Sequence, residues 1–434
     1  MDFIIEFFKY WNYTGAGKMI RIFWYFIFFE FGRYVVLEFW VLFVYWLGRK
    51  RRAREWEAAR QALYNEMPLI SLIAPGKNEG KNIFKLVKSL NEQTYQNVEV
   101  IIVDDGSDDE TPIIGRNLEK NGLIDLFIRN DMRGGKASAA NLAWRYARGK
   151  FLLHLDADCS FDRTAVENII IPFYLDPEIG GVGGNVKVRN GNVSLCARLQ
   201  SIEYLKSISV GRIVTSYLGI YRIISGAFGA FRMDALKKVG VWDIGPGLDG
   251  DITVKLRKSG YKIHFEPTAI CLTAVPTKFK VLWKQRLRWS RSLVRFRLRK
   301  HLDVFLPHKN WRWGTFLGFV ENVFYNFVLD LKWYIYIIDM MINFSSWIWF
   351  LIPMNLALYM IAGFMQQLSI SLWSERSEEE RVLWWYVPLM VFYVAFFLRF
   401  CRTLAYFKEF FFKASYRDPW NPQKSSYQAL KNGY

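Results

Sequence analysis

The chain has 434 residues, of which 52% are hydrophobic, 18% aromatic and 23% charged, which leaves room for one catalytic domain of roughly 200 to 250 residues and several membrane segments. Its formal net charge is +18, but the basic residues cluster beside hydrophobic runs and no nucleic-acid-binding motif accompanies them, so the charge favours a lipid bilayer and not nucleic acid as a partner. The four cysteines are widely spaced and form no Cys-x-x-Cys pair, which argues against a disulfide framework and a zinc site.

A hydrophobic stretch over residues 19–48 predicts an N-terminal membrane anchor within residues 1–48. The stretch is too long and too charged for a cleaved signal peptide, and no small-residue cleavage site follows it. Basic residues between positions 49 and 54 mark its cytosolic end, so the anchor is expected to deliver the next domain to the cytosol. A long amphipathic helix lying on the membrane surface is the alternative. Residues 49–67 lack Gly and Pro and predict a helical linker.

Residues 68–300 predict a separate globular domain. Short apolar runs rich in β-branched and aromatic residues, such as LISLIAP and NVEVIIV, alternate with stretches of helical spacing, such as NIFKLVKSLNEQ. An alternation of strands and helices implies a mainly parallel sheet with helices on both faces. The predicted fold class of this domain is therefore α/β.

Residues 301–413 predict interfacial and transmembrane helices. No charged residue occurs between Met340 and Ser374, and that run exceeds the roughly 20 residues that a spanning helix needs. A shorter uncharged run over residues 382–398 predicts a second span. The charges of Glu321, Asp330 and Lys332 interrupt residues 316–338, which either span the membrane beside a polar glycan path or lie at its interface.

The charges around these two runs predict a topology. The loop SERSEEER between them is net acidic, whereas basic residues follow the second run. The loop is therefore expected outside the cell and the tail, residues 414–434, in the cytosol. This arrangement requires residues 316–338 to lie at the interface or to make a re-entrant pass.

Three acidic motifs follow apolar runs inside the globular domain. An open α/β sheet gathers its ligand-binding side chains where strands give way to polar loops. The motifs are VDDGSDDET with Asp104 and Asp105, HLDAD with Asp156 and Asp158, and PGLDGD with Asp249 and Asp251.

Asp156 and Asp158 have the spacing of a cation site. Alternate residues at the end of a strand point to the same side, so two carboxylates converge on one hard cation, which then neutralises a diphosphate leaving group. A solvated pair in a loop has the same pattern, so the motif alone is a weak indication.

Two further segments are suited to a nucleotide. Asp104 and Asp105 end a strand at a glycine turn that suits a nucleoside, although a simple turn with a helix cap is the alternative. In RGGKASAAN, Gly134 and Gly135 permit close backbone approach and Lys136 supplies a cation for phosphate, although an ordinary helix start has the same pattern.

Gln285, Arg288 and Trp289 share one helix face through their i, i+3, i+4 spacing. A Trp ring stacks on a sugar, and an Arg pairs with diphosphate oxygens in a bidentate manner. The basic run that follows also fits an amphipathic interfacial helix with an aromatic anchor, and the two interpretations are compatible.

The order Asp-Asp-Gly, Asp-x-Asp, acidic loop and Gln-x-x-Arg-Trp resembles the processive family 2 glycosyltransferases, which include poly-N-acetylglucosamine, chitin or chito-oligosaccharide, hyaluronan and cellulose synthases. The resemblance covers residues 68–289 by motif and the flanking segments by architecture. It implies a GT-A (Rossmann-like) fold, an inverting transfer from a UDP-sugar to a growing polysaccharide acceptor, and dependence on Mg²⁺ or Mn²⁺. It further implies a multi-pass protein of the inner or plasma membrane with a cytosolic catalytic domain, which exports its polymer with or without accessory subunits.

The resemblance also implies roles for single residues. Asp104 and Asp105 would hold the uridine, and Asp156 with Asp158 the diphosphate and the metal. Gln285, Arg288 and Trp289 would bind the diphosphate and the acceptor sugar at a channel entrance. Ser225 and Gly226 in SGAFGAFR match the loop that these synthases place near the acceptor, and Lys136 is expected to contact the donor phosphates.

One position departs from the family pattern. These synthases commonly have Glu-Asp or Asp-Asp at the position of the catalytic base, whereas here Leu248 precedes Asp249 and Asp251 follows two residues later. Alignment of the downstream segment SGYKIHFEPTAICLTAVP places Asp249 at the base. A raised pKa, from apolar neighbours and excluded water, would make this carboxylate effective.

The donor is expected to be UDP-N-acetylglucosamine, because WKQRLRW resembles the poly-N-acetylglucosamine synthases and SRSLVR resembles the chito-oligosaccharide and hyaluronan synthases. UDP-glucose remains open. Two alternatives to a polymerase are a non-processive glycosyltransferase acting on a lipid carrier and a non-catalytic membrane scaffold of a polysaccharide export system. The intact acidic set argues against the scaffold, and the Gln-x-x-Arg-Trp block against the lipid-carrier enzyme.

Overall fold

The computed structural model describes residues 5, 6, 9, 22–245, 247–306 and 309–433, so the first part of the predicted anchor lies outside the described residues. The chain divides into two compact units. The smaller one comprises Met1–Trp46 and Asn322–Arg399, and the larger one Leu47–Glu321 and Phe400–Tyr434. The predicted boundaries at residues 300 and 413 differ from this division, because residues 301–321 and 400–434 belong to the larger unit.

The larger unit is built on an eight-stranded mixed sheet with the order β3-β2-β1-β4-β7-β6-β8-β5. Strands β1 to β4 are parallel, β7 is antiparallel to β4 and β6, and β6 is parallel to β8. The strands are β1 Ile70–Gly76, β2 Val98–Asp104, β3 Leu126–Arg129, β4 Phe151–Leu155, β5 Ser160–Phe161, β6 Ile179–Val188, β7 Phe228–Arg232 and β8 Lys262–Thr273. Strands β1, β2 and β4 are almost entirely buried, as their continuous apolar runs predict for a sheet covered on both faces.

Helices cover both faces of this sheet and extend to the C-terminus. The α-helices are Arg49–Glu66, Gly80–Asn91, Thr111–Lys120, Lys136–Tyr146, Ala165–Ile170, Pro172–Leu175, Leu195–Tyr204, Gly211–Tyr217, Met233–Val239, Leu248–Lys258, Phe279–Arg295, Trp313–Val323, Arg399–Phe412 and Gln423–Lys431. The predicted linker is thus helical, and the predicted alternation of strands and helices is present up to β4. One apolar core runs through the sheet and the helices that pack on it.

The parallel strands bring the predicted motifs to one edge of the sheet. Gly76 at the end of β1 is paired with Asp104 at the end of β2, and β4 ends at Leu155, immediately before Asp156. Because the carboxyl ends of parallel strands meet at the same edge, the Asp-Asp-Gly and Asp-x-Asp motifs lie side by side.

The smaller unit is helical. Its α-helices are Leu37–Leu47, Leu329–Asn343, Ile348–Trp373, Ser377–Glu380 and Val387–Phe392, and a π-helical segment, Phe26–Val36, precedes the first. Two helical stretches of the described chain, Ser345–Trp373 and Ser377–Phe412, are long and apolar enough to cross a membrane. The first stretch covers most of the uncharged run between Met340 and Ser374, and the second contains the run over residues 382–398. The predicted N-terminal anchor is not among these stretches, since Glu30, Arg33 and Glu38 interrupt it.

The helix Ile348–Trp373 runs parallel to the N-terminal helical segment. Contacts follow the same order along both segments: the Phe26 and Tyr359 rings lie 5.1 Å apart, the Gln366 amide donates to the Tyr34 carbonyl at 3.0 Å, and the Tyr45 and Trp373 rings lie 5.3 Å apart. The acidic loop after Trp373 therefore lies at the end of the smaller unit where the N-terminal helix leaves it.

The packing of one further helix bears on the topology of the acidic loop, which stays a prediction. Leu329–Asn343 runs antiparallel to the N-terminal segment, since the Tyr25 hydroxyl donates to the Leu329 carbonyl at 2.9 Å and the Tyr336 hydroxyl to the Ile22 carbonyl at 2.7 Å. It is a regular helix and makes no re-entrant turn, so the outside placement of the loop requires residues 316–338 to lie at the membrane interface. The prediction rests on the basic residues that follow Gly48 and Leu398.

The charges within residues 316–338 have partners in their own units. Arg399 and Asp330, both buried, form an ion pair of 3.3 Å, and Glu30 lies 3.6 Å from the same guanidinium. Glu321 pairs with Arg222 at 2.9 Å in the larger unit. For Asp330 and Glu321, ion pairing explains the charge without a glycan path.

Candidate active site

The Asp-Asp-Gly motif holds the glycine loop, defined as residues 133–136. Both oxygens of Asp105 accept backbone hydrogen bonds at 2.8 Å, Oδ1 from Gly134 and Oδ2 from Gly135. Gly135 has φ +92°, a conformation that favours glycine, and the helix Lys136–Tyr146 begins directly after it. Asp105 therefore fixes the start of this helix, and its carboxylate is already occupied by the protein.

Asp104 is buried beside Asp105, and only one of its two carboxylate oxygens accepts a hydrogen bond from the described residues. Its Oδ1 accepts hydrogen bonds from the backbone and the hydroxyl of Ser107, the backbone bond at 3.0 Å. Its Oδ2 accepts no hydrogen bond from the described residues, and the Arg129 guanidinium lies 3.8 Å away. This oxygen is therefore held by the charge of Arg129.

The Asp-x-Asp motif lies next to the glycine loop, because Lys136 donates a hydrogen bond to Asp156 Oδ1. The backbone carbonyl of Asp158 accepts a hydrogen bond of 3.0 Å from Arg189. Burial and the neighbouring Asp156 raise the pKa of the Asp158 carboxyl above its ordinary value. Burial alone would lower the pKa of Lys136, but Asp156 and Asp249 raise it. The Lys136 ammonium is thus held against the Asp156 carboxylate, with Asp158 and Asp249 near enough to act on the same charges.

Asp249 faces this group from the first turn of the helix Leu248–Lys258. Burial raises the pKa of its carboxyl above the ordinary value, with Lys136 opposing the rise and Asp156 adding to it. A Cβ at position 226 would collide with the Asp249 carboxylate, so only glycine fits there. The Gly226 carbonyl in turn accepts a hydrogen bond of 2.7 Å from Nδ1 of the buried His154.

Asp251, two residues further, points away from Asp249 into an ion-pair cluster. Lys300 and the Nε2 of His301 each donate to its carboxylate at 2.8 Å. Although burial opposes it, these two partners lower the pKa of Asp251 to about 2. Of the two candidate bases, Asp249 therefore lies with the site residues, whereas the Asp251 carboxylate is held by Lys300 and His301.

The Gln-Arg-Trp helix, Phe279–Arg295, also approaches the site. Burial lowers the pKa of the Arg288 guanidinium, and the nearby Asp156 carboxylate opposes this change by raising it. Trp289 is 42% exposed, and the Arg286 guanidinium lies 4.4 Å from its ring centroid. Gln285 Oε1 is buried and accepts no hydrogen bond from the part of the chain that the structure describes.

The C-terminal segment, residues 414–433, was predicted only as a cytosolic tail, but it packs on the glycine loop. The Ser425 hydroxyl donates to the Gly134 carbonyl at 2.7 Å, and the Arg133 guanidinium donates to the Trp420 carbonyl. The Arg288 guanidinium lies 4.1 Å from the Trp420 ring centroid. This segment therefore connects the glycine loop to the Gln-Arg-Trp helix.

Glu79 is a further residue near the two Asp motifs, and no sequence motif indicated it. It follows β1 at the edge of the sheet that carries the two Asp motifs, and its Oε2 accepts a hydrogen bond of 2.8 Å from Asn82. Burial, together with Asp158 and Asp156, raises its pKa to about 6. The sequence could have indicated Glu79, because the end of β1 must lie at the same edge of the sheet as the ends of β2 and β4.

Comparisons with known proteins identify a family for part of the chain. Residues 71–240 match the model of the family described as Glycosyl transferase family 2, so the predicted family resemblance is confirmed for that segment. The match contains the glycine loop and both of the first two Asp motifs, whereas Asp249 and the Gln-Arg-Trp helix lie beyond it.

Two curated relatives and one solved structure extend the comparison. The poly-beta-1,6-N-acetyl-D-glucosamine synthase of Staphylococcus aureus strain COL is 32% identical over 261 residues, which cover 60% of this chain and 62% of that protein. The Staphylococcus epidermidis synthase of the same name is 35% identical over 225 residues, 51% of this chain and 54% of that protein. The match thus spans less than two thirds of these relatives. A mannosyltransferase from Pyrobaculum calidifontis, solved with GDP-Man and Mn²⁺, has a TM-score of 0.55 at 19% identity, covering 82% of this chain and 96% of that one. It confirms the predicted GT-A fold.

Proposed function

We propose that this chain, which carries a family 2 glycosyltransferase domain of the GT-A fold, is a membrane-embedded processive inverting glycosyltransferase that polymerises a β-linked polysaccharide from a UDP-sugar and moves it across the membrane. The observation that carries the proposal is the grouping of Asp156 with Lys136, Asp249 and Arg288, residues from four separate segments of the chain. A carboxylate, a general base and two cationic side chains are suited to sugar transfer from a nucleoside diphosphate.

The donor diphosphate would bind at the glycine loop and the Asp-x-Asp motif. Asp156 and Asp158 offer two hard carboxylate oxygens suited to Mg²⁺ or Mn²⁺, and no cluster of three or more His, Cys, Asp or Glu side chains occurs among the described residues. This donor set fits a cation that takes its remaining ligands from phosphate oxygens and water. A bound cation would neutralise charge on the departing UDP. The Mn²⁺ in the solved mannosyltransferase is in line with this assignment.

Asp249 would act as the general base of an inverting displacement. The acceptor hydroxyl oxygen forms a bond to the anomeric carbon of the donor while the bond from that carbon to the diphosphate oxygen breaks. The proton of the hydroxyl passes to Asp249, and UDP leaves with its charge held by Lys136 and Arg288. Gly226 leaves room in front of the Asp249 carboxylate because a side chain there would collide with it.

The half-exposed Trp289 ring would stack on the terminal sugar of the acceptor chain, which keeps the product bound between additions. N-acetylglucosamine is the proposed sugar because two relatives are named poly-beta-1,6-N-acetyl-D-glucosamine synthases. The two apolar helical stretches support a location in the cell membrane, with the catalytic domain in the cytosol and accessory subunits as candidate export partners.

The deciding experiment incubates the purified full chain with each radiolabelled UDP-sugar, followed by sizing and enzymatic digestion of the product. A long polymer from UDP-N-acetylglucosamine is expected, and Trp289→Ala should still bind UDP but make little polymer. Addition of a single sugar to a lipid acceptor, unaffected by Trp289→Ala, would favour the lipid-carrier enzyme. Absence of UDP release with every donor would favour the scaffold.

A further inference from the structure

A cavity of about 380 Å³ lies in the larger unit, at the edge of the sheet opposite the proposed active site. It is lined by Glu178, which precedes β6, by Gly260 and Tyr261, which precede β8, and by residues 309–312. Strands β6 and β8 run in the same direction as β4, since β7 is antiparallel to both β4 and β6. Their beginnings therefore lie at the edge away from Asp156.

The side chains of this cavity are mainly cationic and donating. Lys238, Lys309 and Arg312 line it, and Glu178 is its one carboxylate among the lining residues that the structure describes. That carboxylate is already shared by Arg312 at 3.2 Å and by Lys262 at 2.8 Å. The lining thus carries an excess of positive charge, which attracts an anion.

An exposed apolar stripe adjoins the cavity. The rings of Trp311 and Trp313 lie 4.7 Å apart, and the helix Trp313–Val323 begins there. Trp313, Leu317 and Val320 are 66%, 48% and 37% exposed, and their i, i+4, i+7 spacing places them on one face. A cationic pocket beside an aromatic and aliphatic stripe is the pattern of a surface that binds anionic lipid at a membrane interface.

We propose that this cavity binds the phosphate headgroup of an anionic phospholipid, with the stripe of Trp313, Leu317 and Val320 in contact with its acyl region. The site is separate from the donor site and does not depend on the proposed reaction. Lipid is favoured over a free phosphate because a soluble ligand would leave the adjoining apolar stripe in water.

The test uses the purified full chain in detergent, titrated with phosphatidylglycerol or phosphatidylcholine, with bound lipid measured by native mass spectrometry. We expect preferential retention of phosphatidylglycerol, and a loss of affinity of about tenfold or more in Lys238→Ala/Lys309→Ala, because each lysine near an anionic headgroup adds to binding.

The control is Lys237→Ala/Lys85→Ala, which removes the same charge from exposed positions outside the cavity lining. Unchanged UDP release in detergent would show that the variants are folded. Equal retention of both lipids, or an equal loss in the control variant, overturns the proposal. Displacement of the lipid by inorganic phosphate at matched concentration overturns the lipid assignment in favour of a soluble anion.

Discussion

At the scale of single residues, Asp249 and Asp251 are neighbouring carboxylates in different environments. Both lie in the first turn of one helix, but a spacing of two residues turns their side chains to different sides. One faces Lys136 and Gly226, and the other is bound by Lys300 and His301. Their environments move their pKa values in opposite directions, which is how acid–base roles are separated in enzymes.

We expect Asp249→Asn to retain UDP binding and thermal stability but to lose transfer by roughly 10²- to 10⁴-fold, the usual contribution of a general base. Asp251→Asn should instead destabilise the protein by about 1.5 to 3 kcal/mol, because Lys300 and His301 lose a charged hydrogen-bond acceptor while Lys300 keeps its ion pair with Asp243. Transfer rates and thermal unfolding of the two variants separate the roles. Loss of transfer in a stable Asp251→Asn variant, with Asp249→Asn active, would reverse the assignment.

The same two groups predict opposite pH effects. Asp249 must be ionised to accept a proton, so its raised pKa places the acid limb of the transfer rate above the ordinary aspartate value of about 4. Asp251 has a folded-state pKa lowered to about 2, so its contribution to stability is present above its unfolded pKa and is lost as the pH falls through the folded value. A pH profile of kcat and an acid unfolding curve, compared with those of Asp249→Asn and Asp251→Asn, measure the two effects.

Metal dependence is a residue-scale prediction for Asp158. Asp158→Ala should reduce turnover by several orders of magnitude, since a cation typically supplies several kcal/mol at a developing charge. Asp162→Ala, at an acidic position beyond the Asp-x-Asp motif, serves as the matched control. Full activity of Asp158→Ala, or of the wild type in excess chelator, would contradict the assignment.

At the scale of elements, the C-terminal segment joins two parts of the proposed donor site. Pro422 packs against Gly135, Trp420 stacks on Arg288, and Asp418 lies 3.5 Å from Arg291. The stacking fixes the direction of the Arg288 guanidinium, which is otherwise a long and flexible group. We therefore propose that the segment positions the side chains that are assigned to the donor diphosphate.

Trp420→Ala should raise the KM for the UDP-sugar by roughly 2- to 30-fold, in keeping with the usual 0.5 to 2 kcal/mol of a cation–π contact. Trp420→Phe retains a ring and should recover part of the affinity, whereas Tyr427→Ala, at an exposed position of the same segment, should have no effect. Steady-state kinetics with varied donor measure this. Higher activity after removal of residues 414–434 would show instead that the segment blocks the site.

At the scale of the whole molecule, the order of contacts in the smaller unit places the acidic loop at the exit end of the N-terminal helix. Within the proposed topology, that end faces the cytosol. A cysteine introduced by Ser377→Cys should therefore be protected from an impermeant reagent in intact cells and labelled after lysis. The native cysteines give little background because all four are buried. Labelling in intact cells would instead support the placement of the loop outside the cell, as its charge pattern predicts.

The sequence alone determined the features that depend on local pattern. The alternation of apolar runs and helical spacing predicted an α/β sheet, and the rule that parallel strands end at one edge placed Asp104 beside Asp156. The length of uncharged runs predicted the two apolar helical stretches. These features depend only on residues that are close in sequence, or on a general rule of topology. The sequence pattern therefore predicts them.

Only the tertiary structure decided the features that depend on residues far apart in the chain. Whether Asp249 or Asp251 faces the site follows from Lys136, Gly226, Lys300 and His301, none of which belongs to the same motif. The stacking of Trp420 on Arg288 joins residues 132 positions apart, and the direction of the helix Ile348–Trp373 follows from side-chain packing and not from charge. Such contacts have no sequence period, because their partners are set by how separate elements pack against one another.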